Sequence, residues 1–186
     1  MTKTDPNGSG ATGPEPDGSG PTRSGATRPV PTDPVAAVAA WLASTAPAPD
    51  TAYEDWSASL GGVAFLPLGV HFDAVRIPIR LVRAVAGSED DREIALALEE
   101  LLSGGPVLSN GYRWYHALVP VGTKAAWTRT DAECVGEGTW LYVPHPAWTS
   151  CGIYWAVPPR RIGAACAARD VVRLLERARR AVGVER

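Results

Sequence analysis

Three polar residues stand in strand-like surroundings: Asp73 in Phe72-Asp73-Ala74-Val75, His116 in Trp114-Tyr115-His116-Ala117, and Glu133 just ahead of the Gly136-Glu137-Gly138 turn. A carboxylate inside a strand costs free energy unless it is paired, hydrogen-bonded or bound to a metal. Two converging acids are what a hard, oxygen-seeking Mg²⁺ or Mn²⁺ needs for phosphoryl transfer. Asp73 and Glu133 are therefore the candidate metal-facing and catalytic acids. His116 is the candidate donor to a nucleotide phosphate, a task that suits an imidazolium. Two residues beyond Asp73, where a strand would turn a partner carboxylate to the same face, stands Val75; Arg76 points to the opposite face. Each residue also has a plainer reading, as a surface acid on an edge strand, a packed core histidine and a loop carboxylate respectively.

Other constellations carry less. Cys134, His145 and Cys151 offer three zinc ligands at a spacing unlike the usual structural sites, so unrelated buried thiols are expected. Neither a Walker A sequence nor G-x-S-x-G occurs. Gly136-Glu137-Gly138 is too short for a phosphate loop and reads as a turn. Of the seven tryptophans most are expected in the core. Trp148, in the Pro-rich Pro144 to Ser150 loop, is a candidate stacking platform for a base.

The elements that must position these residues follow from pattern. Asp33-Pro34 is an N-cap followed by proline at the first helical position, opening a short helix on Val35, Val38, Trp41 and Leu42 that ends near Ser44. Thr45 to Asp50 reads as a linker and Tyr53 to Ser59 as a second helical turn. Val63 to Leu66 and His71 to Ile77 read as strands, the second stopped by Pro78. Ile79 to Ala86 is helical, and Ser88 with Asp91 forms a capping box for a helix on Ile94, Leu98, Leu101 and Leu102, ended by Gly104-Gly105. Four strands follow, Pro106 to Ser109, Trp114 to Val119, Thr139 to Val143 and Ile153 to Val157. Asn110-Gly111 marks a hairpin between the first two. Ala167 to Val182 is an amphipathic helix, with Val171, Val172, Leu174, Leu175, Ala178 and Val182 on one face and Arg169, Arg173, Arg177 and Arg180 on the other. This order predicts an α+β fold, an antiparallel or mixed sheet of about six strands with helices packed on one side.

Composition bounds the rest. The 186 residues suffice for one domain, expected over residues 33–186, behind a Gly/Pro/Ser/Thr-rich tail over residues 1–32. That tail lacks the apolar side chains that repay ordering entropy and is expected to be disordered; it has no apolar core of a secretory signal. No apolar run of membrane-spanning length occurs. Three cysteines without C-x-x-C predict a reducing, cytoplasmic setting. Arginine far outnumbers lysine, as in proteins from GC-rich bacterial genomes. The net charge of −2 hides an asymmetry: Arg160 to Arg186 holds eight arginines against three acids, net +5, leaving −7 on the remainder. Such a basic end can face a polyanion, with Arg173 and Arg180 as candidate contacts, or be a solvated helix face.

Taken in order, these segments resemble the Prim-Pol domain of the archaeo-eukaryotic primase superfamily, as found at the N-terminus of bacterial bifunctional DNA primase/polymerase proteins. That family has an acid-x-acid strand, a Gly-rich turn before a histidine-bearing strand, a further acid leading into a Gly-rich turn and a strand ending in prolines, and a Gly-x-Tyr-x-Trp strand. Here Phe72-Asp73-Ala74-Val75, then Ser109-Asn110-Gly111 with His116, then Glu133 to Pro144, then Gly152-Ile153-Tyr154-Trp155 stand at those places, covering roughly Gly61 to Pro159. The resemblance implies Asp73 and Glu133 facing Mg²⁺ or Mn²⁺, His116 on the incoming phosphates, and Asn110, Gly111 and Arg113 in the nucleotide-side turn. Val75 stands where the second acid belongs, and the Lys-x-Pro entry is absent. The expectation is thus a degenerate domain that binds nucleotide or nucleic acid without polymerising. Two alternatives are an active minimal primase or nucleotidyltransferase using Asp73 and Glu133, and a non-enzymatic interaction module that docks a protein partner.

Overall fold

A computed structural model of the chain describes residues 33–58 and 62–184; the N-terminal tail expected over residues 1–32 lies outside them. The order is α1 (Pro34–Ala43), α2 (Pro49–Ser57), β1 (Val63–Pro67), β2 (Asp73–Pro78), α3 (Ile79–Ala86), α4 (Asp91–Leu101), β3 (Val107–Ser109), β4 (Trp114–Val119), α5 (Thr123–Ala126), β5 (Glu133–Val135), β6 (Trp140–Pro144), β7 (Tyr154–Val157) and α6 (Ala168–Val184). The fold is α+β, as the pattern predicts.

Local chemistry starts and stops these elements. Asp33 caps α1, its Oδ1 accepting the Val35 N–H at 3.0 Å, with Pro34 at the first turn. The cap of α4 is Asp90 rather than the expected Ser88: Asp90 Oδ1 accepts from the N–H groups of Arg92 and Glu93, while Ser88 Oγ accepts from Asp90 N–H. α3 ends on Gly87 at φ +66°, a left-handed backbone that a Cβ disfavours. The stretch read as a linker, Thr45 to Asp50, in part belongs to α2, which starts at Pro49.

Five strands form one sheet in the order β5-β2-β4-β3-β7, and β1 and β6 form a separate two-stranded ribbon; all the pairs are antiparallel. A single six-stranded sheet was expected. The difference arises at Gly136-Glu137-Gly138, where Thr139 N–H closes on Gly136 O at 3.0 Å and Gly138 takes φ +81°. The chain leaves β5 of the sheet there and enters β6 of the ribbon.

Helices cover one face of the five-stranded sheet and the ribbon covers the other. On the first face Val75, Ile77, Tyr115, Ala117, Val119 and Cys134 pack against α3, α4 and α6 through Leu81, Val82, Ile94, Leu98, Val171, Leu174, Leu175 and Ala178. The α6 contacts recur at i, i+3, i+4 and i+7, the face of one helix, and each buried Val or Leu contributes roughly 1.5–3 kcal/mol. On the second face Ala74, Leu108, Leu118, Val135 and Trp155 meet Ala64, Leu66, Leu141 and Val143 of the ribbon, together with α1 and α2. Helices therefore do not sit on one side only. None of the described helices is long and apolar enough to cross a membrane.

Candidate functional site

Strand parity decides which candidate residues meet. On β2, Arg76 lies opposite His116 of β4 and opposite Glu133 of β5. Residues directly opposite in an antiparallel pair point to the same face, so His116, Arg76 and Glu133 form a row of three on the ribbon side. Arg76 Nη1 lies 3.1 Å from Glu133 Oε2. His116 is 5% exposed and its Nδ1 is buried with no hydrogen-bond partner. Burial, assisted by the nearby Arg76 guanidinium, lowers the imidazole pKa to about 4, so the ring is neutral at pH 7. As a neutral ring it presents one N–H donor and one acceptor nitrogen rather than a second cation.

Asp73 is elsewhere. Three residues from Arg76, it belongs to the helix-side face of β2, opposite Val119. It is 2% exposed on a central strand rather than a surface acid on an edge. Its Oδ2 accepts the backbone N–H of Lys124, within α5, at 3.0 Å, tying α5 to the start of β2. Gly136 is the neighbour that makes room for it, since a Cβ there would stand 2.6 Å from Asp73 Oδ1. The Lys124 ammonium, in turn, donates to Glu137 O at 3.3 Å.

A divalent cation shared by Asp73 and Glu133 therefore does not fit. The two carboxylates lie on opposite faces of β2 and its neighbour, one hydrogen-bonded to backbone and the other ion-paired to Arg76. Nor is the missing second acid the reason, because Val75 faces the helices with Asp73, away from His116. Among the described residues no group of three His, Cys, Asp or Glu side chains is placed to hold a metal. Cys134 and Cys166 are buried free thiols whose pKa burial pushes up, to about 11 and about 12. Cys151 is exposed.

The remaining candidates are placed as follows. Asn110 Oδ1 accepts from the N–H groups of Arg113 at 3.0 Å and Trp114 at 2.9 Å, so its side chain builds the β3–β4 turn. Gly111, at φ +76°, lies where a Cβ would stand 2.6 Å from Gly152 O, so that turn packs on the β6–β7 connection. Arg113 is exposed, and its carbonyl accepts the Ile79 N–H at 2.9 Å. Trp148 is half-buried and closes the same β6–β7 connection, its carbonyl accepting Trp155 N–H at 2.9 Å. On α6, Arg173 reaches Asp170 at 3.4 Å, while Arg180 is exposed and makes no ion pair among the described residues. Among the described residues none of these is hydrogen-bonded or ion-paired to the side chains of Arg76, His116 or Glu133.

Two features were not picked out from the sequence. One is Arg76 as partner of both His116 and Glu133; the signal was its even spacing from Ala74, which puts it on the second face. The other is an exposed aromatic strip, Phe65, Trp140 and Tyr142, on the ribbon. Its signal was apolar residues on both faces of Val63–Pro67 and Trp140–Pro144, a pattern that a half-buried strand does not need. Only Trp56 and Trp155 of the tryptophans are fully in the core. No protein-family model, no curated protein and no solved structure matches the chain.

Proposed function

We propose that the chain is a degenerate primase-polymerase-like domain that binds the phosphate of a nucleotide or nucleic acid without polymerising. The observation carrying this reading is the Arg76 guanidinium between His116 and Glu133 in register. Metal-assisted nucleotidyl transfer needs acids converging on the transferring phosphoryl group. Beside His116 the strand instead supplies a cation, whose planar fork suits phosphate oxygens. The unpartnered imidazole adds a nitrogen in want of a hydrogen bond, a deficit that costs about 1–3 kcal/mol when left unmade.

The Arg76–Glu133 pair does not bar such a ligand. Both side chains reach solvent, and a pair of that kind contributes at most about 1 kcal/mol. A phosphate can replace the carboxylate at little cost. The stripe of Arg169, Arg173, Arg177 and Arg180 on α6 lies on the other side of the sheet and offers a polyanion a separate set of cations. Their contribution would be salt-sensitive, as released counterions require.

The experiment is thermal unfolding with a nucleoside triphosphate, with and without Mg²⁺, and with a short oligonucleotide. A ligand at 100 times its Kd stabilises by about 2.7 kcal/mol. The wild type is expected to gain this without needing Mg²⁺, and Arg76→Ala to lose most of it. Absence of any gain with either ligand would sink the binding half of the proposal. Template-directed primer synthesis that disappears in Asp73→Ala would sink the other half.

A further inference from the structure

Three element junctions meet beside the short edge strand β5. Pro78 ends β2 and opens α3, which sets Arg80 in the first turn of that helix. Trp114 begins β4 directly opposite Pro78. Lys124 lies in α5 and Trp127 directly follows that helix, before the chain runs on into β5. Arg80, Trp114, Lys124 and Trp127 line one cavity of about 470 Å³, a size within the roughly 300–1,000 Å³ of small-molecule sites.

The walls are fixed by contacts of their own. The Trp127 indole N–H donates to Ala132 O at 2.9 Å. Arg129 meets Asp131 through two hydrogen bonds, Nε to Oδ1 at 3.0 Å and Nη2 to Oδ2 at 2.6 Å, and its Nη1 lies 3.7 Å from Glu176 of α6. The segment between α5 and β5 is thereby latched to α6 before any ligand arrives, so little ordering is left to oppose binding.

Charge selects the ligand. Both acids of the cavity are matched, Asp131 by Arg129 and Glu133 by Arg76. Two of its cations are not. Arg80 is exposed, and its side chain makes no hydrogen bond or ion pair among the described residues, which leaves its five N–H donors open. The Lys124 ammonium donates to the Glu137 carbonyl at 3.3 Å and has two more protons to give. Trp114 and Trp127 are half-buried and offer ring surface on which another flat ring stacks. An inorganic anion would use the cations and leave the rings idle, and an aliphatic amine would be repelled.

We propose that this cavity binds a small aromatic anion, its flat ring against Trp114 and Trp127 and its carboxylate or phosphate on Arg80 and Lys124. The site is separate from the row of His116, Arg76 and Glu133. Arg76 does not line it, and the two share Glu133 alone. An aryl carboxylate and a nucleoside monophosphate carry the same chemistry, since both anions suit a guanidinium fork and an ammonium.

Nuclear magnetic resonance of the labelled full chain, titrated with indoleacetate in one arm and adenosine monophosphate in the other, tests this. The Trp114 and Trp127 indole signals are expected to shift together with at least one of the two. The buried Trp155 indole should stay in place and report an intact fold. A response to indoleacetate alone assigns the site to aryl carboxylates, and a response to the monophosphate alone assigns it to nucleotides. Arg80→Ala should weaken binding about tenfold, and Arg80→Ala with Lys124→Ala about a hundredfold. The second change keeps the Lys124 backbone N–H that Asp73 holds. Two unmoved tryptophan signals in both arms overturn the proposal. So does indole or acetate acting as well as indoleacetate, because the cations or the rings would then be idle. A larger loss from Arg76→Ala than from Arg80→Ala overturns it as well, since the ligand would then sit on the phosphate row.

Discussion

The two faces of the five-stranded sheet use the same strands to opposite ends. Toward the helices, β2 and β4 present Val75, Ile77, Tyr115, Ala117 and Val119, and the one carboxylate, Asp73, is consumed in holding α5. Toward the ribbon the same two strands present Ala74, Leu118, Arg76 and His116, and the polar pair is left incompletely matched. A one-residue step along β2 separates a packing face from a face with chemistry to spare. The lesson concerns parity: an acid belongs to a site only if its strand position shares a face with the rest of that site.

The severest test of this division is Val75→Asp, the substitution that would complete the acid-x-acid pattern. Val75 has no exposure and faces α3, α4 and α6. The change removes a buried aliphatic side chain and inserts a carboxyl with no partner, a cost of about 4 kcal/mol or more. Chemical denaturation should show most of the protein's stability gone and no gain from Mg²⁺. A folded variant that binds Mg²⁺ would break the distinction between the faces.

The opposite face is tested by pH. His116 titrates at about 4 in the folded chain against an ordinary 6.5. Between those values the unfolded chain holds a proton that the folded chain excludes, so unfolding takes up a proton and acid favours it. Stability from this group is complete above pH 6.5 and is lost as the pH falls toward 4, by about 3 kcal/mol in all. Urea titrations across that window should show the slope in the wild type and a flatter one in His116→Leu. Equal slopes would mean that the imidazole is not held neutral by its surroundings.

These contrasts also separate what the sequence made legible from what it did not. The start of α1 was readable because a cap is a local event: Asp33-Pro34 needs only its own neighbours, and the helix over Ile79 to Ala86 and the strand over Trp114 to Val119 stand where they were expected. β5 was not readable as a strand, since three residues, Glu133–Val135, are too few to show a period. The division into sheet and ribbon depends on which strands pair across dozens of residues, which no local pattern encodes. The parity of Arg76 relative to Asp73 was legible, and so was their separation onto opposite faces. The meeting of Arg76, Glu133 and His116 was not, because register between β2, β4 and β5 is settled by tertiary packing. The outward face of Phe65, Trp140 and Tyr142 was hidden for a related reason: aromatic residues in strands are read as core.

A smaller effect is expected at Asp73. Asp73→Ala deprives the Lys124 N–H of its acceptor in a buried setting, a loss of about 2 kcal/mol. Asp73→Asn keeps an accepting oxygen and should recover about half of that. Stability measured with and without Mg²⁺ should respond identically in all three proteins. A Mg²⁺ gain confined to the wild type would give Asp73 a metal after all.

The least change in stability, and the finest test of the second face, comes from Arg76→Met. The ion pair with Glu133 is open to solvent, so its loss should cost no more than about 1 kcal/mol. Its electrostatic consequence is directional. Burial is the larger cause of the depressed His116 pKa and the Arg76 charge the smaller, so removing that charge should raise the pKa while leaving it below 6.5. The loss of stability in acid should shrink accordingly. Histidine resonances followed through a pH titration read this directly, and an unmoved His116 would show that Arg76 does not act on it. In that case the row across β4, β2 and β5 would be a matter of register only, without the shared electrostatics that a phosphate site requires.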